Sequence, residues 1–535
     1  MSKQHSPSAN GGTRVWQSSA LWRFLGARRG RIWTLCAFAI ALLVSAVVYG
    51  CSLDNHFVSD DWVSLYAMSN VDNLSDALEY VTFNTNWFVR PTQWLLTWGL
   101  YKAFGLSPFP YHLTSVGLDM ANALLLGVLT YELLGISCKR LRVNVVLALL
   151  VSTLFVLSWR HHEAIFWYSS ISELLQAFFR FVSLLLVLYW FRITGKKRWA
   201  IYTLSVGGYA LAIFSKESAV ILPVEMMLLL AYVTASRQGP WRLRRLTILV
   251  PFVLVTAVWG GFYVATSVRN TSAVIERGGL QLLHASVSDW IFRVLQFFNG
   301  NYIGTRFLSR STFLMTLELF GLSVLVTAAF IRKRYLWLLA LAWTVIAIAP
   351  YVATTSNEAV RLQLPVLLLG VGGDRFLYYS AAGASLFLVM SARWFVDELR
   401  ALTASRYVKL ASALVALLFV LLLGLNAVRL IKFEGDWDAA GDIGAEIVNQ
   451  VRTLVPSPEE NSVLCLANLP DSYNGKYVFR NGMPANLYLV YQRDDFGVRA
   501  TVQPSTAFTS QPRLDERGCS SVLWWNEATA RLVQK

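Results

Sequence analysis

The chain has 535 residues, of which 55% are hydrophobic and 15% are charged, and its formal net charge is +15. Soluble domains carry about a quarter charged residues, so this chain has too few to cover a water-facing surface of its size. The composition excludes a soluble globular protein and indicates an integral membrane protein. It does not favour a nucleic-acid partner, because the excess of bases lies entirely in residues 1–431, in short clusters between apolar runs.

Residues 1–30 are polar and basic, which predicts a disordered cytoplasmic tail. Residues 31–431 contain about eleven apolar runs that are long enough to cross about 30 Å of hydrocarbon. The sequence therefore predicts a polytopic α-helical membrane protein with about 11 transmembrane helices, near residues 33–50, 111–135, 143–158, 171–191, 200–214, 218–235, 246–268, 313–331, 335–351, 376–391 and 410–430. The shorter run 92–104 predicts a helix in the membrane interface, within a first outer loop 51–110.

Basic clusters in alternate loops set the expected orientation. Short loops rich in Lys and Arg stay in the cytoplasm, and six such loops fall on one side if there are eleven spans, around residues 14–31, 139–142, 192–198, 237–245, 332–334 and 393–409. The amino terminus is then cytoplasmic. The carboxyl-terminal region is extracytoplasmic, and a bacterial inner membrane with a periplasm is the expected location.

Residues 432–535 predict a small α/β extracytoplasmic domain. Ile443, Ile447, Val451 and Leu454 recur at helical spacing, whereas the runs 462–469, 476–479, 487–491 and 522–525 are strand-like, and Asn481-Gly482 predicts a turn between strands. Cys465 and Cys519 both lie in this domain. Because an outer compartment is oxidising, a disulfide between them is a hypothesis.

Two adjacent carboxylates, Asp60 and Asp61, follow the first apolar run. One interpretation is structural, with a helix that begins here and a carboxylate that interacts with its dipole. The other is functional, because a carboxylate at the membrane surface can accept a proton from a hydroxyl group that is held beside a lipid headgroup. The sequence leaves both interpretations open.

Charged residues lie in apolar surroundings at other outer-face positions. His162 and Glu163 join two spans, Lys216-Glu217 stands between two spans with almost no loop, Arg375 precedes a span, and Arg90-Pro91 precedes the interfacial helix. Charges at a membrane edge are expensive and indicate function, and an Arg fork can hold a phosphate. The alternatives are a structural Lys216–Glu217 pair and an Arg375 that anchors its helix by snorkelling. Adjacent histidines are a poor metal pair because they point to different sides of a helix.

Taken in order, these motifs resemble those of the GT-C membrane glycosyltransferases, over roughly residues 33–391. The pattern is most similar to the transmembrane-and-tetratricopeptide O-mannosyltransferases and the protein O-mannosyltransferases, as a bacterial relative without the repeat array. The segments that carry the resemblance are Asp60-Asp61, Arg90-Pro91 with Tyr111-His112-Leu113, His162-Glu163-Ala164 with Trp167 and Glu173-Leu174-Leu175, Ser215-Lys216-Glu217-Ser218-Ala219 with Pro223, and Asp374-Arg375-Phe376-Leu377-Tyr378 with Gly383. Two departures are the missing repeat array and Tyr378-Tyr379-Ser380, which lacks the usual proline.

The resemblance implies transfer of a sugar from a polyprenyl-phosphate donor to a protein, lipid or polysaccharide acceptor on the outer face, with inversion. Asp60 or Asp61 would be the general base, and the donor's phosphate and sugar would be bound by Arg90, His162, Glu163, Lys216, Glu217 and Arg375. No cofactor is certain, and a divalent cation is left open because only some members of the superfamily use one. The alternatives are a surface-polysaccharide polymerase or ligase, and a lipid or glycan transporter without chemistry.

Overall fold

The structure is a computed structural model that describes residues 43, 46–80, 89–137, 141–237, 243–269, 287–302, 312–354, 373–503 and 514–534. All structural statements below concern these residues. The predicted cytoplasmic tail 1–30 lies outside them, as does most of the first predicted span, 33–50.

The described chain is mostly helical. Its α-helices, in chain order, are α1 (Asp60–Ser69), α2 (Leu74–Glu79), α3 (Pro91–Phe104), α4 (Pro108–Ser137), α5 (Leu141–Val156), α6 (His162–Phe166), α7 (Ile171–Trp190), α8 (Lys197–Ile213), α9 (Leu222–Ser236), α10 (Val250–Arg269), α11 (Val287–Gly300), α12 (Thr312–Ile331), α13 (Tyr335–Thr354), α14 (Ser380–Leu402), α15 (Ser405–Leu454) and α16 (Met483–Tyr491). Short 3-10 helices occupy Cys51–Asp54, Trp159–His161, Tyr168–Ser170, Glu217–Ile221, Leu243–Leu249 and Asp374–Leu377.

Seven of the described helices are long and apolar enough to cross a membrane, or eight if the bent pair Val143–Val156 and Trp159–Phe166 is one span. These eight coincide with runs that the sequence predicts. The predicted spans 200–214 and 376–391 are also helical, as α8 and α14, but do not meet the same length and hydropathy test. The multi-pass character is therefore confirmed, and the number eleven stays a prediction. Helix α3 spans the predicted interfacial run.

Residues beyond the last span form a small α/β region. Its sheet has the order β4-β1-β5-β6, in which β1 (Val463–Leu469) pairs in parallel with β4 (Gly497–Val502) and β5 (Ser521–Asn526), and β6 (Arg531–Gln534) is antiparallel to β5. A separate two-stranded ribbon pairs β2 (Ser472–Tyr473) with β3 (Lys476–Tyr477). The disulfide joins Cys465 of β1 to Cys519, 54 residues further along the chain. Helix α15 runs through residue 432 without a break, so the span and this region share one continuous helix.

One predicted strand is wrong. Residues 487–491 form the end of α16, and Asn481-Gly482 leads into this helix instead of joining two strands. Pro484 stands in the first turn, where proline favours a helix start. Met483 and Leu487, four residues apart, are both buried against the sheet. The helix then crosses over from β1 to β4, as a pair of parallel strands requires.

Candidate functional site

The carboxyl-terminal region holds the backbone just before Asp60 in an unusual conformation. Ser59 has φ of 48°, which is uncommon for a residue with a side chain, and its N–H donates to the carbonyl oxygen of Val478 at 2.9 Å. Gly482 approaches so closely that a Cβ atom there would lie 2.2 Å from the Ser59 oxygen. Strained backbone of this kind persists only when its surroundings enforce it. Here the enforcing residues belong to segment 478–482.

The two adjacent carboxylates have different environments. Asp61 is fully buried, and its oxygens accept hydrogen bonds from the backbone N–H of Val58 at 3.1 Å, the backbone N–H of Ser169 at 2.7 Å and the Ser169 hydroxyl at 2.6 Å. Asp60 is partly exposed and accepts from the side-chain amide of Asn481 at 3.1 Å. Asp61 therefore ties α1 to the segment before α7, while Asp60 faces outward.

Burial raises the pKa of Asp61 to about 7, although the hydrogen bonds from Ser169 and Val58 oppose this shift. Burial without a neighbouring cation disfavours the charged form of a carboxyl group, so the group binds a proton at a higher pH than an exposed one does. Asp61 is accordingly a group whose charge changes near neutral pH.

His162 is held in one tautomer by its two neighbours. The indole N–H of Trp437 donates to Nδ1 at 3.1 Å, so Nδ1 carries no proton. Nε2 then carries the proton and donates to Asp374, 3.1 Å away. Arg160 binds the other oxygen of Asp374 at 2.5 Å, and the three side chains are buried. Both ring nitrogens are engaged, so this histidine orients Asp374.

Glu163 organises the segment that carries Arg375. Its buried carboxylate accepts from the backbone N–H groups of Gly373 at 2.7 Å and Arg375 at 3.1 Å, from the Arg375 guanidinium, and from the Tyr477 hydroxyl at 3.3 Å. Burial lowers the pKa of Arg375, but the negative charge of Glu163 and the contacts with Tyr477 together have the larger, opposite effect, so the pKa of Arg375 lies above its ordinary value. The guanidinium also lies over the rings of Trp167 at 4.8 Å and Phe376 at 4.7 Å.

Lys216 and Glu217 do not pair with each other, so the structural interpretation of this dipeptide is wrong. Lys216 binds Glu173 at 2.8 Å, and the hydroxyl of Tyr351 donates to the other Glu173 oxygen at 2.8 Å. Glu217 instead accepts two hydrogen bonds from Arg90, at 2.8 and 2.6 Å. Lys216 has extended backbone while Glu217 begins a 3-10 helix, which separates the two side chains.

These ion pairs are neighbours in space. Burial lowers the pKa of Lys216, and Arg90 and Arg375 lower it further through their charges, while Glu173 and Glu217 oppose them. At the other side of Arg375, the ring of Tyr477 contacts Trp167 at 4.8 Å, two residues before the Ser169 that holds Asp61. These contacts link Asp61, through Ser169 and Trp167, to Arg375 and Lys216.

The carboxyl-terminal region contributes side chains to the site that the sequence did not single out. Tyr477 and Asn481 contact Glu163 and Asp60 directly, and Trp437 fixes His162. Lys476 is buried beside the ring of Phe433, 4.0 Å away. Burial lowers its pKa to about 8, although Asp374 and Glu163 oppose this shift. The available signal was composition: these polar side chains stand among aromatic residues in a short run, 473–481.

Within the described residues, no group of three or more His, Cys, Asp or Glu side chains is arranged to hold a metal ion. The predicted donor-site residues His162 and Glu163 instead use their nitrogen and oxygen atoms in the hydrogen bonds given above. The site is built from paired acids and cations.

Comparison with solved structures finds ArnT from Cupriavidus metallidurans bound to undecaprenyl phosphate, with a TM-score of 0.44 and 15% identity over 90% of this chain and 87% of that one. It also finds the archaeal oligosaccharyltransferase AglB from Archaeoglobus fulgidus in complex with an inhibitory peptide and a dolichol-phosphate, with a TM-score of 0.44 and 13% identity over 88% of this chain and 65% of that one. Both are GT-C superfamily glycosyltransferases, the superfamily that the sequence motifs resemble. No protein-family model and no curated protein sequence matches the chain.

Proposed function

We propose that this protein is a membrane glycosyltransferase that moves a sugar from a polyprenyl-phosphate-linked donor to a hydroxyl group of an acceptor at the outer face. The observation that carries the proposal is a chain of contacts that links the partly exposed carboxylate Asp60 to the cations. Its neighbour Asp61 binds Ser169, and the guanidinium of Arg375 lies over Trp167, two residues before that serine. Lys216 lies close enough to Arg90 and Arg375 for their charges to lower its pKa. Glycosyl transfer from a phosphate needs both a carboxylate and cations, because one group takes the acceptor's proton and the others neutralise the leaving phosphate.

Asp60 is the better candidate for the general base. A base has to reach the acceptor hydroxyl, and Asp60 is partly exposed whereas Asp61 is fully buried with three donors on its two oxygens. We assign Asp61 to positioning, because it fixes the start of α1 to Ser169. Among the residues that the structure describes, only the Asn481 amide donates to the Asp60 carboxylate, which leaves lone pairs for the acceptor's proton.

Arg375 is the principal candidate for binding the leaving phosphate. Its side chain is 22% exposed, against 13% for Arg90 and 6% for Lys216. A guanidinium offers five N–H donors in a planar fork that suits phosphate oxygens, so pairing with Glu163 does not exhaust it. Lys216 and Arg90 are each held by an acid and are close enough for the charges of Arg90 and Arg375 to act on Lys216.

The proposed step is a single displacement. The acceptor oxygen attacks the anomeric carbon, the bond from that carbon to the phosphate oxygen breaks with its electron pair staying on the phosphate, and Asp60 receives the acceptor's proton. The configuration at the anomeric carbon inverts. Glu163, His162, Tyr477 and Glu217 act through the cations and backbone that they position. Whether a divalent cation assists is tested by measuring the transfer rate after treatment with EDTA.

The experiment compares Asp60→Asn with the wild type and with Asp72→Asn, a matched control whose carboxylate is 89% exposed in the same outer region. Membranes that contain each full-length protein are supplied with polyprenyl-phosphate sugars, and transfer is measured by mass spectrometry of the glycoconjugates. We expect Asp60→Asn to lower the rate by about 10²- to 10⁴-fold, as for loss of a general base, and Asp72→Asn to leave it unchanged. Unchanged transfer in a normally inserted Asp60→Asn variant would refute the role.

The same measurement separates the alternatives. A donor that carries a long glycan indicates a polysaccharide polymerase or ligase instead of a monosaccharide transferase. Movement of the lipid-linked sugar across the membrane without any new glycosidic bond indicates a transporter. The identity of the sugar and the acceptor follow from the masses of the products.

A further inference from the structure

A second charged site lies at the opposite end of the bundle. A cavity of about 370 Å³ opens between the ends of α9, α12, α13 and α14. Its wall includes four bases, together with aromatic side chains from α13 and α14, namely Arg332, Lys333, Arg334, Arg393, Trp337 and Trp394. None of these residues contributes to the candidate active site.

The helices themselves give the separation of the two sites. In α13, Tyr351 binds Glu173 in the candidate active site while Trp337 lines the cavity, 14 residues earlier. The segment Glu217–Ser236 likewise begins at the active site and ends at the cavity. At 1.5 Å per residue these stretches measure roughly 20–30 Å, which is comparable to the hydrocarbon thickness of a bilayer. The cavity therefore faces the leaflet opposite the active site.

The bases in the cavity wall exceed the acids that can neutralise them. Asp397 and Glu398 are the carboxylates that pair with these bases, and Arg334 binds both, at 3.2 and 3.3 Å. Lys333 forms no ion pair with any residue that the structure describes. The Nε atom of Arg334 is buried and has no hydrogen-bond partner among the described residues. Among the described residues, Lys333 is thus the cavity base whose charge is left for an anion.

Lys333 also has an unusual backbone conformation. Its φ is 54° where the chain leaves α12, and the N–H of Arg334 donates to the carbonyl of Ala329 at 2.8 Å in the hydrogen-bond pattern of a helix end. Glycine is the residue that normally fills such a position, because a side chain there is strained. A general excess of bases on the cytoplasmic side explains positive charge in this loop, but it does not explain a lysine at this strained position.

Apolar side chains adjoin the bases. Phe330 and Ile331, immediately before Arg332, are 68% and 70% exposed. A soluble phosphate ion makes no favourable contact with an apolar surface beside its binding groups. A lipid does, because its acyl chains cover such a surface. We propose that this cavity binds the phosphate headgroup of an anionic lipid from the leaflet opposite the active site, with its acyl chains along the end of α12.

The test uses full-length protein in nanodiscs of phosphatidylcholine that contain increasing fractions of phosphatidylglycerol, followed by native mass spectrometry of the retained lipids. Lys333→Gln removes the charge, and Lys196→Gln is a matched control from another basic loop that the sequence places on the same side. We expect Lys333→Gln to weaken phosphatidylglycerol retention by about fivefold, as for loss of one hydrogen bond to the headgroup phosphate. Lys333→Arg retains binding, as does Lys196→Gln.

Lys333→Gly tests whether a loss of lipid binding comes from the lost charge or from a destabilised fold. Glycine relieves the strained backbone, so this variant is expected to keep or raise the thermal midpoint while it loses the same fivefold in lipid retention. Equal retention of phosphatidylglycerol by the wild type and by both uncharged variants would overturn the proposal. A second arm adds inorganic phosphate to the phosphatidylcholine nanodiscs. If millimolar phosphate raises the thermal midpoint of the protein, and phosphatidylglycerol does not displace the bound phosphate, the proposal is also overturned. The occupant of the cavity would then be a soluble anion.

Discussion

Replacing Glu163 by glutamine tests whether the buried carboxylate organises the site. The carboxylate receives four hydrogen bonds, three of them from residues 373–375, and it neutralises Arg375. In Glu163→Gln the neutral amide leaves the guanidinium of Arg375 without its partner charge. The NH₂ group of the glutamine also cannot accept the hydrogen bonds that the second carboxylate oxygen accepts in the wild type. Removing one partner of a buried ion pair costs about 3–5 kcal/mol. Losing one hydrogen bond to a charged group costs less, about 1.5–3 kcal/mol.

The matched variant Tyr477→Phe removes a single hydrogen bond to the same carboxylate, from a hydroxyl 3.3 Å away, and leaves the charge in place. Thermal unfolding of both variants in the same detergent gives two midpoint shifts. We expect the shift for Glu163→Gln to be about twice that for Tyr477→Phe or larger. In the double variant the effects should not add, because the tyrosine no longer has a charged acceptor to lose.

Function provides the second measurement for the same pair. If Glu163 positions Arg375 for the proposed transfer, we expect Glu163→Gln to weaken the binding of a polyprenyl phosphate and to lower the transfer rate, while Tyr477→Phe has a smaller effect on both. A Glu163→Gln protein whose midpoint and phosphate affinity match those of Tyr477→Phe would refute the reasoning, because the charge of the carboxylate would then contribute nothing.

Three further predictions follow from the described contacts. Gly482→Ala places a Cβ atom 2.2 Å from a backbone oxygen and should lower both thermal stability and transfer, whereas the control Gly435→Ala, in an uncrowded helical position, should raise stability by about 0.5–1 kcal/mol. The folded-state pKa of Asp61, about 7, exceeds its ordinary value, so the stabilisation by this carboxyl group is complete below about pH 4 and is lost as the pH rises through 7. The thermal midpoint of the wild type minus that of Asp61→Asn should therefore decrease between about pH 4 and pH 8. A difference that stays constant with pH would contradict this. Reduction of the Cys465–Cys519 disulfide, which spans 54 residues, should destabilise the carboxyl-terminal region by about 4 kcal/mol, seen as faster proteolysis with reductant in the wild type but not in a Cys465→Ser variant.

The membrane-spanning architecture could be predicted from the sequence because a run of about 20 apolar residues has one stable arrangement in a bilayer, a helix whose backbone hydrogen bonds are all internal. The candidate site residues could be selected for a related reason. A charged side chain at the end of an apolar run is costly, so Asp60, Glu163, Lys216 and Arg375 stand out without any knowledge of their neighbours.

The partners of these residues depend on the tertiary structure. Lys216 and Glu217 are adjacent in the chain, yet they bind Glu173 and Arg90, because consecutive side chains point in different directions. No local pattern brings Tyr477 to Glu163, 314 residues away.

The sequence by itself thus determined that the chain is a multi-pass membrane protein and which charges interrupt its apolar runs, since both follow from local solvation energies. Only the folded chain decided that Trp437 sets the tautomer of His162 and that Asp60, and not the buried Asp61, faces outward. Those outcomes depend on the distances between groups that are far apart in the chain, and such distances are fixed by packing.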